Sequence, residues 1–421
     1  MKKIVVDLVL VVCFTVNIYS QSGFEYLHKG NTDHFPGNMI ESPTGSLIIT
    51  VVDQIHGHLI KLDNSTGEII DSVKLNVPDG YGNIFEIIQM DDSSCLGLGG
   101  CMVNDTSKIW LIQFDNNLNI INQVFIKVRG EVCPMYINTL KTSNDNIVIG
   151  FSYYKTPGLP YTEIAILEID TSFQVINSRY FETSNTTYYL IFDIIKSRKY
   201  SYDIFTSYYL NCEKVTGFIF SLNKNFDIME SQVLPWEHFY DLNTVKQMNK
   251  SNIIVTGKKI SLSDNEYQLG IMKMDSNFNL INTNILGKEP DTIDFPGISK
   301  NMDFKNPDNI FYAGFSNVYL NDAYFSPFPT WLCLNKLDRE LNLKWQKYYG
   351  GDACYILWSM LATNDGGCVM AAHRYDHEYQ DRERDVYILK VDQNGEINFI
   401  NDEIKLKTEV LVYPNPGSDK M

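Results

Sequence analysis

The chain lacks the marks of most enzyme classes. It has no Gly-x-Ser-x-Gly elbow, no Gly-rich phosphate loop and no His-Glu-x-x-His helix. Serine-hydrolase, nucleotide and zinc-protease chemistry therefore have no template in it. Gly97-Leu-Gly-Gly100 reads as a strand of small residues, because no helical pattern follows it. No Cys-x-x-Cys pair and no Cys/His cluster is present, so the usual zinc sites are excluded, and no cofactor is expected. Basic residues are outnumbered, 35 Lys and Arg against 51 Asp and Glu, for a net charge of −16. A surface of that sign repels polyanions, which excludes nucleic acid and anionic lipid as partners. After the first twenty residues no apolar run reaches membrane-spanning length, so no membrane span is expected.

Cysteine is sparse too. Cys13 lies in the leading segment, and Cys95, Cys101, Cys133, Cys212, Cys333, Cys354 and Cys368 follow. An odd number cannot all pair internally. Cys95 and Cys368 fall at equivalent points of different repeats, as do Cys133 and Cys354. They read as small buried hydrophobes. One bridge, Cys95–Cys101 across neighbouring strands, stays open.

What the chain does have is a pattern repeated seven times: an apolar strand, an Asp or Asn, a short turn, then a second strand. The turn residues are Asp63, Asp115, Asp170, Asn223, Asp275, Asp338 and Asp392. Their gaps, by subtraction, are 52, 55, 53, 52, 63 and 54 residues. Strand repeats with a period near fifty mean a propeller or a similar array. Ahead of each Asp turn lies another hairpin, as in Trp358–Thr363, Asn364–Gly367 and Cys368–Ala372. Each unit is thus a four-strand meander, A to D. The expected fold is all-β: a seven-bladed β-propeller of four-stranded antiparallel blades. The Asp has a local task, since its carboxylate can accept backbone N–H bonds from residues two or three further on. Strands B and C are near-continuous apolar runs, as in Ile253-Ile254-Val255, which suits sheets covered on both faces. One blade cannot cover both faces alone, so the blades must stack in a ring. Residues 23–30 resemble a D strand with no A, B or C before it. They are expected to pair with the final blade, residues 352–393, and close the circle.

Residues 1–20 have the layout of a cleaved export signal: Lys2 and Lys3, an apolar stretch to Val16, and a small residue, Ser20, before Gln21. The expected organisation is a signal peptide over 1–20, a propeller over 21–400, a linker or edge strand over 401–410 and a further segment over 411–421.

In such a blade the B–C and D–A connections share one face of the disc. Here they are long and varied, and variable loops on a rigid frame carry function. Candidate binding residues on that face are Tyr153, Tyr154, Tyr161, Trp236, Tyr324, His373, Tyr375, His377 and Tyr379. Aromatics mixed with polar groups suit a sugar or a peptide. His373, Asp376, His377 and Glu378 are the densest set of possible metal ligands. They read as a solvated charge cluster with Arg374, Arg382 and Arg384, so no metal is assigned. No catalytic residue is assigned either, although paired carboxylates for glycoside cleavage stay open because only their separation in space decides.

Val412-Tyr413-Pro414-Asn415-Pro416 resembles the opening of the C-terminal sorting domain of Bacteroidetes type IX secretion cargo. The repeats are similar to the propellers found ahead of that domain, with the "lysine-apolar-aspartate" turn of Leu389-Lys390-Val391-Asp392. The resemblance implies a secreted or outer-surface protein handled by the type IX machinery. The family's sorting domain continues as a small β-sandwich, whereas this sequence stops at Met421. A genuine truncation would imply a periplasmic product. Two functional readings follow. One is an exported, non-enzymatic propeller that binds an extracellular glycan, peptide or protein through its long-loop face. The other is a secreted polysaccharide hydrolase or lyase with acidic residues near the central channel.

Overall fold

The computed structural model describes residues 23–30, 32–53, 55–155, 162–182, 187–210, 213–237, 239–260, 267–287, 293–319, 325–376 and 383–397. The expected signal peptide, the 401–410 segment and Tyr413–Pro416 lie outside them. Every regular element is a strand. β1 is Phe24–His28. Blade 1 comprises Phe35–Glu41, Leu47–Val52, Gly57–Leu62 and Ile69–Lys74 (β2–β5). Blade 2 comprises Gly80–Gln89, Ser94–Val103, Thr106–Asp115 and Ile120–Lys127 (β6–β9). Blade 3 comprises Glu131–Lys141, Ile147–Tyr154, Thr162–Ile169 and Val175–Phe181 (β10–β13). Blade 4 comprises Thr187–Lys196, Tyr202–Leu210, Glu213–Leu222 and Ile228–Val233 (β14–β17). Blade 5 comprises Phe239–Gln247, Asn252–Ile260, Tyr267–Asp275 and Leu280–Leu286 (β18–β21). Blade 6 has its inner strand broken into Asp294–Pro296 and Met302–Asp303 (β22, β23), followed by Ile310–Ser316, Trp331–Leu337 and Leu343–Gly350 (β24–β26). Blade 7 comprises Cys354–Ala362, Cys368–Tyr375 and Arg384–Val391 (β27–β29).

Blade 7 takes its fourth strand from the other end of the chain. β1 pairs antiparallel with β29, Phe24 opposite Lys390 and His28 opposite Val386. The sheet order is β1-β29-β28-β27. Pairing one terminus onto the last blade covers an edge that would otherwise expose its hydrogen-bonding groups.

Stacking buries what single blades cannot. Among the described residues there are seven apolar clusters, and each joins two neighbouring blades. One joins Phe24, Val369 and Val386 of blade 7 to Met39, Leu47 and Ile60 of blade 1. Another joins Phe311 and Leu334 of blade 6 to Leu357, Met370 and Leu389 of blade 7.

The repeated Asp holds a three-residue loop with a bulge. In six of the seven turns its side-chain oxygen accepts the backbone N–H bonds of the second and fourth residues on, as Asp338 does from Glu340 at 2.8 Å and Asn342 at 2.9 Å. In the first turn Asp63 takes those of Ser65 and Thr66. The fourth-residue bond was not expected from sequence. It arises because the third residue swings to positive φ: Leu118, Phe173, Phe226, Phe278 and Leu341 lie at 59–64°. A bulky side chain seldom occupies that region. Here it is held because the side chain enters an inter-blade cluster, Phe226 fully buried and Leu341 nearly so.

Cys95 and Cys101 lie on one strand, β7, not on neighbours, so they cannot bridge. Both are buried, as are Cys133, Cys333, Cys354 and Cys368. Burial pushes the Cys95 and Cys101 thiols up to about 12.

Candidate functional site

Each inner strand departs from regular register near its middle, as at Pro36/Met39, Ile84/Glu86, Ile191/Asp193 and Leu357/Ser359. A bulge re-aims a side chain. In blade 6 the bulge is long enough to reach the next blade: Ile298 and Ser299 donate backbone N–H bonds to Leu357 and Trp358, and Met360 donates to Lys300. This segment carries Lys300 to the axis. The Lys300 ammonium donates to Asn138 Oδ1 at 3.2 Å and lies 3.5 Å from Asp193 Oδ1.

Three buried carboxylates meet around it, none named from sequence. Glu86 accepts from Asn38 of blade 1 and Thr139 of blade 3. Asp193 accepts the backbone N–H of Val245 in blade 5 at 2.9 Å. Asp303 accepts that of Ala362 in blade 7 at 2.9 Å, and pairs with Lys246. Burial raises the Glu86 carboxyl above its ordinary range, against the pull of Lys300. Burial would lower Lys300, but Asp193 and Glu86 outweigh it and hold the ammonium up. The three acids come from three different blades, 2, 4 and 6. Each is tied to donors on neighbouring blades, so the network spans the hole and locks the bulges. Gly37, Phe85, Met135, Ile298 and Trp358 line a narrow cleft beside it.

Of the nine loop-face residues chosen from sequence, the five that are described do not form one surface. Tyr153 is inside β11 and buried, and its hydroxyl donates to Glu163 Oε2 at 2.5 Å. Burial, and then Glu163, raise that hydroxyl well above its usual range. Tyr154 closes the same strand, partly buried. Trp236 lies between blades 4 and 5, half-buried, stacked on Phe239 at 4.9 Å with the Lys259 ammonium 5.0 Å over it. His373 is not in a loop: it is a buried residue of β28 whose Nδ1 accepts the Trp358 indole N–H at 2.9 Å. Tyr375 ends the same strand, also buried. Strand β28 runs past the point where the charge pattern suggested a loop, and its alternation turns both side chains inward. Tyr161, Tyr324, His377 and Tyr379 lie outside the described residues.

Two of the predicted loops do meet. Tyr375 packs edge-on against Phe325 of blade 6 at 5.1 Å. Between Phe325 and Phe35 the Arg384 guanidinium is sandwiched, 4.6 and 4.5 Å from the ring centres. Asp33 holds it in a two-pronged bond of 3.0 and 2.8 Å. Arg374 binds Asp352 and Asp376, but its side chain is only 17% exposed and His373 is buried, so the described part of this region is paired and not the solvated cluster expected. Among the described residues no group of three His, Cys, Asp or Glu could hold a metal. Beside this stack, His28, His34 and His58 crowd together where the ring closes, centres 5.5 and 6.2 Å apart, with Asp53 3.0 Å from His58.

The exposed apolar groups on this face are others. Ile55 is 51% exposed, Tyr81 52% and Met135 42%. Ile55 and Tyr81 lie side by side, since the Gly82 N–H donates to the Ile55 carbonyl at 3.2 Å. Sequence reading passed over them because Tyr81 looks like any strand-entry aromatic.

No family model matches the chain, and no curated protein matches it. Solved structures similar to it include Drosophila plexin A in complex with semaphorin 1b, at 7% identity and TM-score 0.48, covering 87% of this chain and 88% of that one. A protein of unknown function from Dyadobacter fermentans matches at 8% identity and TM-score 0.43, covering 87% and 98%. The β-propeller domain of the trilobed protease from Pyrococcus furiosus, described as having an open velcro topology, matches at 12% identity and TM-score 0.45, covering 92% and 99%.

Proposed function

We propose that this is an exported, non-enzymatic binding propeller that recognises an extracellular glycan, peptide or protein through its long-loop face. Export is inferred from the Lys2–Val16 pattern and the Tyr413–Pro416 motif. The observation that carries the recognition reading is the exposed Ile55–Tyr81 pair. A monomer gains nothing from two large apolar side chains held in water on a rigid face, whereas a partner could bury both. The hydrolase or lyase reading has Glu86, Asp193 and Asp303 in its favour. It needs an acid or base free to meet a substrate, and these three are engaged in holding the inner strands together.

The test is a glycan and peptide array probed with the full chain. Binding that Tyr81→Ala abolishes supports a site on the long-loop face. Turnover of a polysaccharide that Glu86→Gln or Asp193→Asn stops would overturn the proposal.

A further inference from the structure

Among the described residues the joint between blades 3 and 4 has the smallest of the seven apolar clusters. Among the described residues its apolar cluster has eight buried members, against 21 at the joint between blades 6 and 7. A cleft of about 300 Å³ opens there at the outer wall. Phe181 of blade 3 lines one side. Tyr189 and Phe220 of blade 4 line the other, ring centres 5.5 Å apart and nearly perpendicular. All three rings are only partly buried. Beneath the cleft the joint is closed, with Val148, Ile191, Ile204, Leu222 and Phe226 fully buried.

Arg179 and Glu182 also line the cleft, with side chains 53% and 65% exposed. Their present partners are distant: Arg179 is 3.5 Å from Asp227 and Glu182 is 3.7 Å from Arg129. Solvated ion pairs of that length contribute at most about 1 kcal/mol. Both groups can therefore exchange those contacts for a ligand's hydroxyls at little cost.

We propose that this cleft binds a single neutral pyranose residue, at a site distinct from the Ile55–Tyr81 surface. The ligand must be amphipathic, because the walls are aromatic and the polar groups are few and at one side. A pyranose has that form, with a C–H face to lie on the rings and hydroxyls at its edge. Those hydroxyls both donate and accept, as a guanidinium beside a carboxylate requires. The two side chains cancel in charge, so an ionised ligand gains nothing here. The volume sits at the small end of the about 300–1,000 Å³ spanned by ligand sites, which suits one ring and not a folded partner.

The test is isothermal titration of the full chain with the methyl glycosides of glucose, galactose, mannose and N-acetylglucosamine. At least one should saturate a single site. The double variant Arg179→Ala/Glu182→Ala, at two exposed side chains, should weaken that binding about tenfold or more. Tyr81→Ala, which tests the long-loop face, should leave it unchanged. No saturable heat at millimolar glycoside would overturn the proposal. So would affinity unchanged in the double variant, or binding of a Tyr- or Phe-containing peptide that the glycosides do not displace.

Discussion

Two arcs of the ring are held together differently. On the joints from blade 5 through 6, 7 and 1 to blade 2, a buried lysine on the third strand reaches the next blade's Asp turn. Lys273 donates to the Arg339 carbonyl at 2.9 Å, Lys336 to Gln393 at 2.7 Å, Lys390 to Asn64 at 2.5 Å and Lys61 to Asn116 at 2.7 Å. The acceptor is in each case the residue after the repeated Asp. On the joints from blade 2 to blade 5 the lysine is replaced by Gln113, Glu168 and Ser221. Glu168 and Ser221 turn to partners within their own blades, Asn146 and Asp203. The clamped arc includes the ring closure; in the other arc, at the joint between blades 3 and 4, the Lys224 carbonyl is met by Asn177 of the outer strand at 3.1 Å instead of by a lysine. Four clamps in a row, and three absences in a row, teach that the lysine belongs to the joint and not to its own turn.

The largest effect should come from cutting the clamp at the closure. Lys390 also pairs with Asp365 at 2.5 Å and is nearly fully buried. Lys390→Met removes the buried cation shared by Asp365 and the Asn64 carbonyl. We expect a loss of about 2–3 kcal/mol, at or below the low end for a broken buried pair, read as a lower urea midpoint. The same change at Glu168, in the other arc, should cost well under 1 kcal/mol.

Acid should narrow the contrast by a smaller amount. Burial, with the neighbouring imidazoles, lowers the pKa of His28; burial, outweighing Asp53, lowers that of His58. A depressed folded-state pKa means the unfolded chain takes up protons first. The stability these two contribute is complete above their ordinary value, about 6.5, and is lost as pH falls through their folded values. A thermal melt taken at pH 5 rather than 7.5 should show a Tm lower by a few degrees. His28→Phe should remove part of that difference.

The smallest effect is a gain. Gln113→Lys places the missing ammonium opposite the Thr171 carbonyl of blade 3, and should raise stability by about 0.5–1 kcal/mol. No gain in urea midpoint would mean that joint is too wide to be clamped.

How much of this was legible beforehand depends on how far apart the interacting residues lie in sequence. The repeated Asp turns, the strand pairs and the closing strand β1 could be read because turn chemistry and two-residue alternation act within a few residues. The clamps could not: Lys390 stood out as part of a "lysine-apolar-aspartate" motif, but its acceptor lies 326 residues back, and that of Lys336 lies 57 on. The same limit applies to two of the candidate site residues. His373 and Tyr375 sit beside a charged loop in sequence, yet their surroundings are set by blades 6 and 1, through Phe325 and Phe35. Lys300 and Asp193 are 107 residues apart and meet only because a bulge crosses the axis.

Native-state hydrogen exchange of the backbone amides tests the two-arc account most directly, because it reads the opening free energy of each blade separately. The amides of β11 and β15 should exchange through lower-energy openings than those of β3, β24 and β28. Uniform protection around the ring, or earliest opening at the β1–β29 pair, would contradict it.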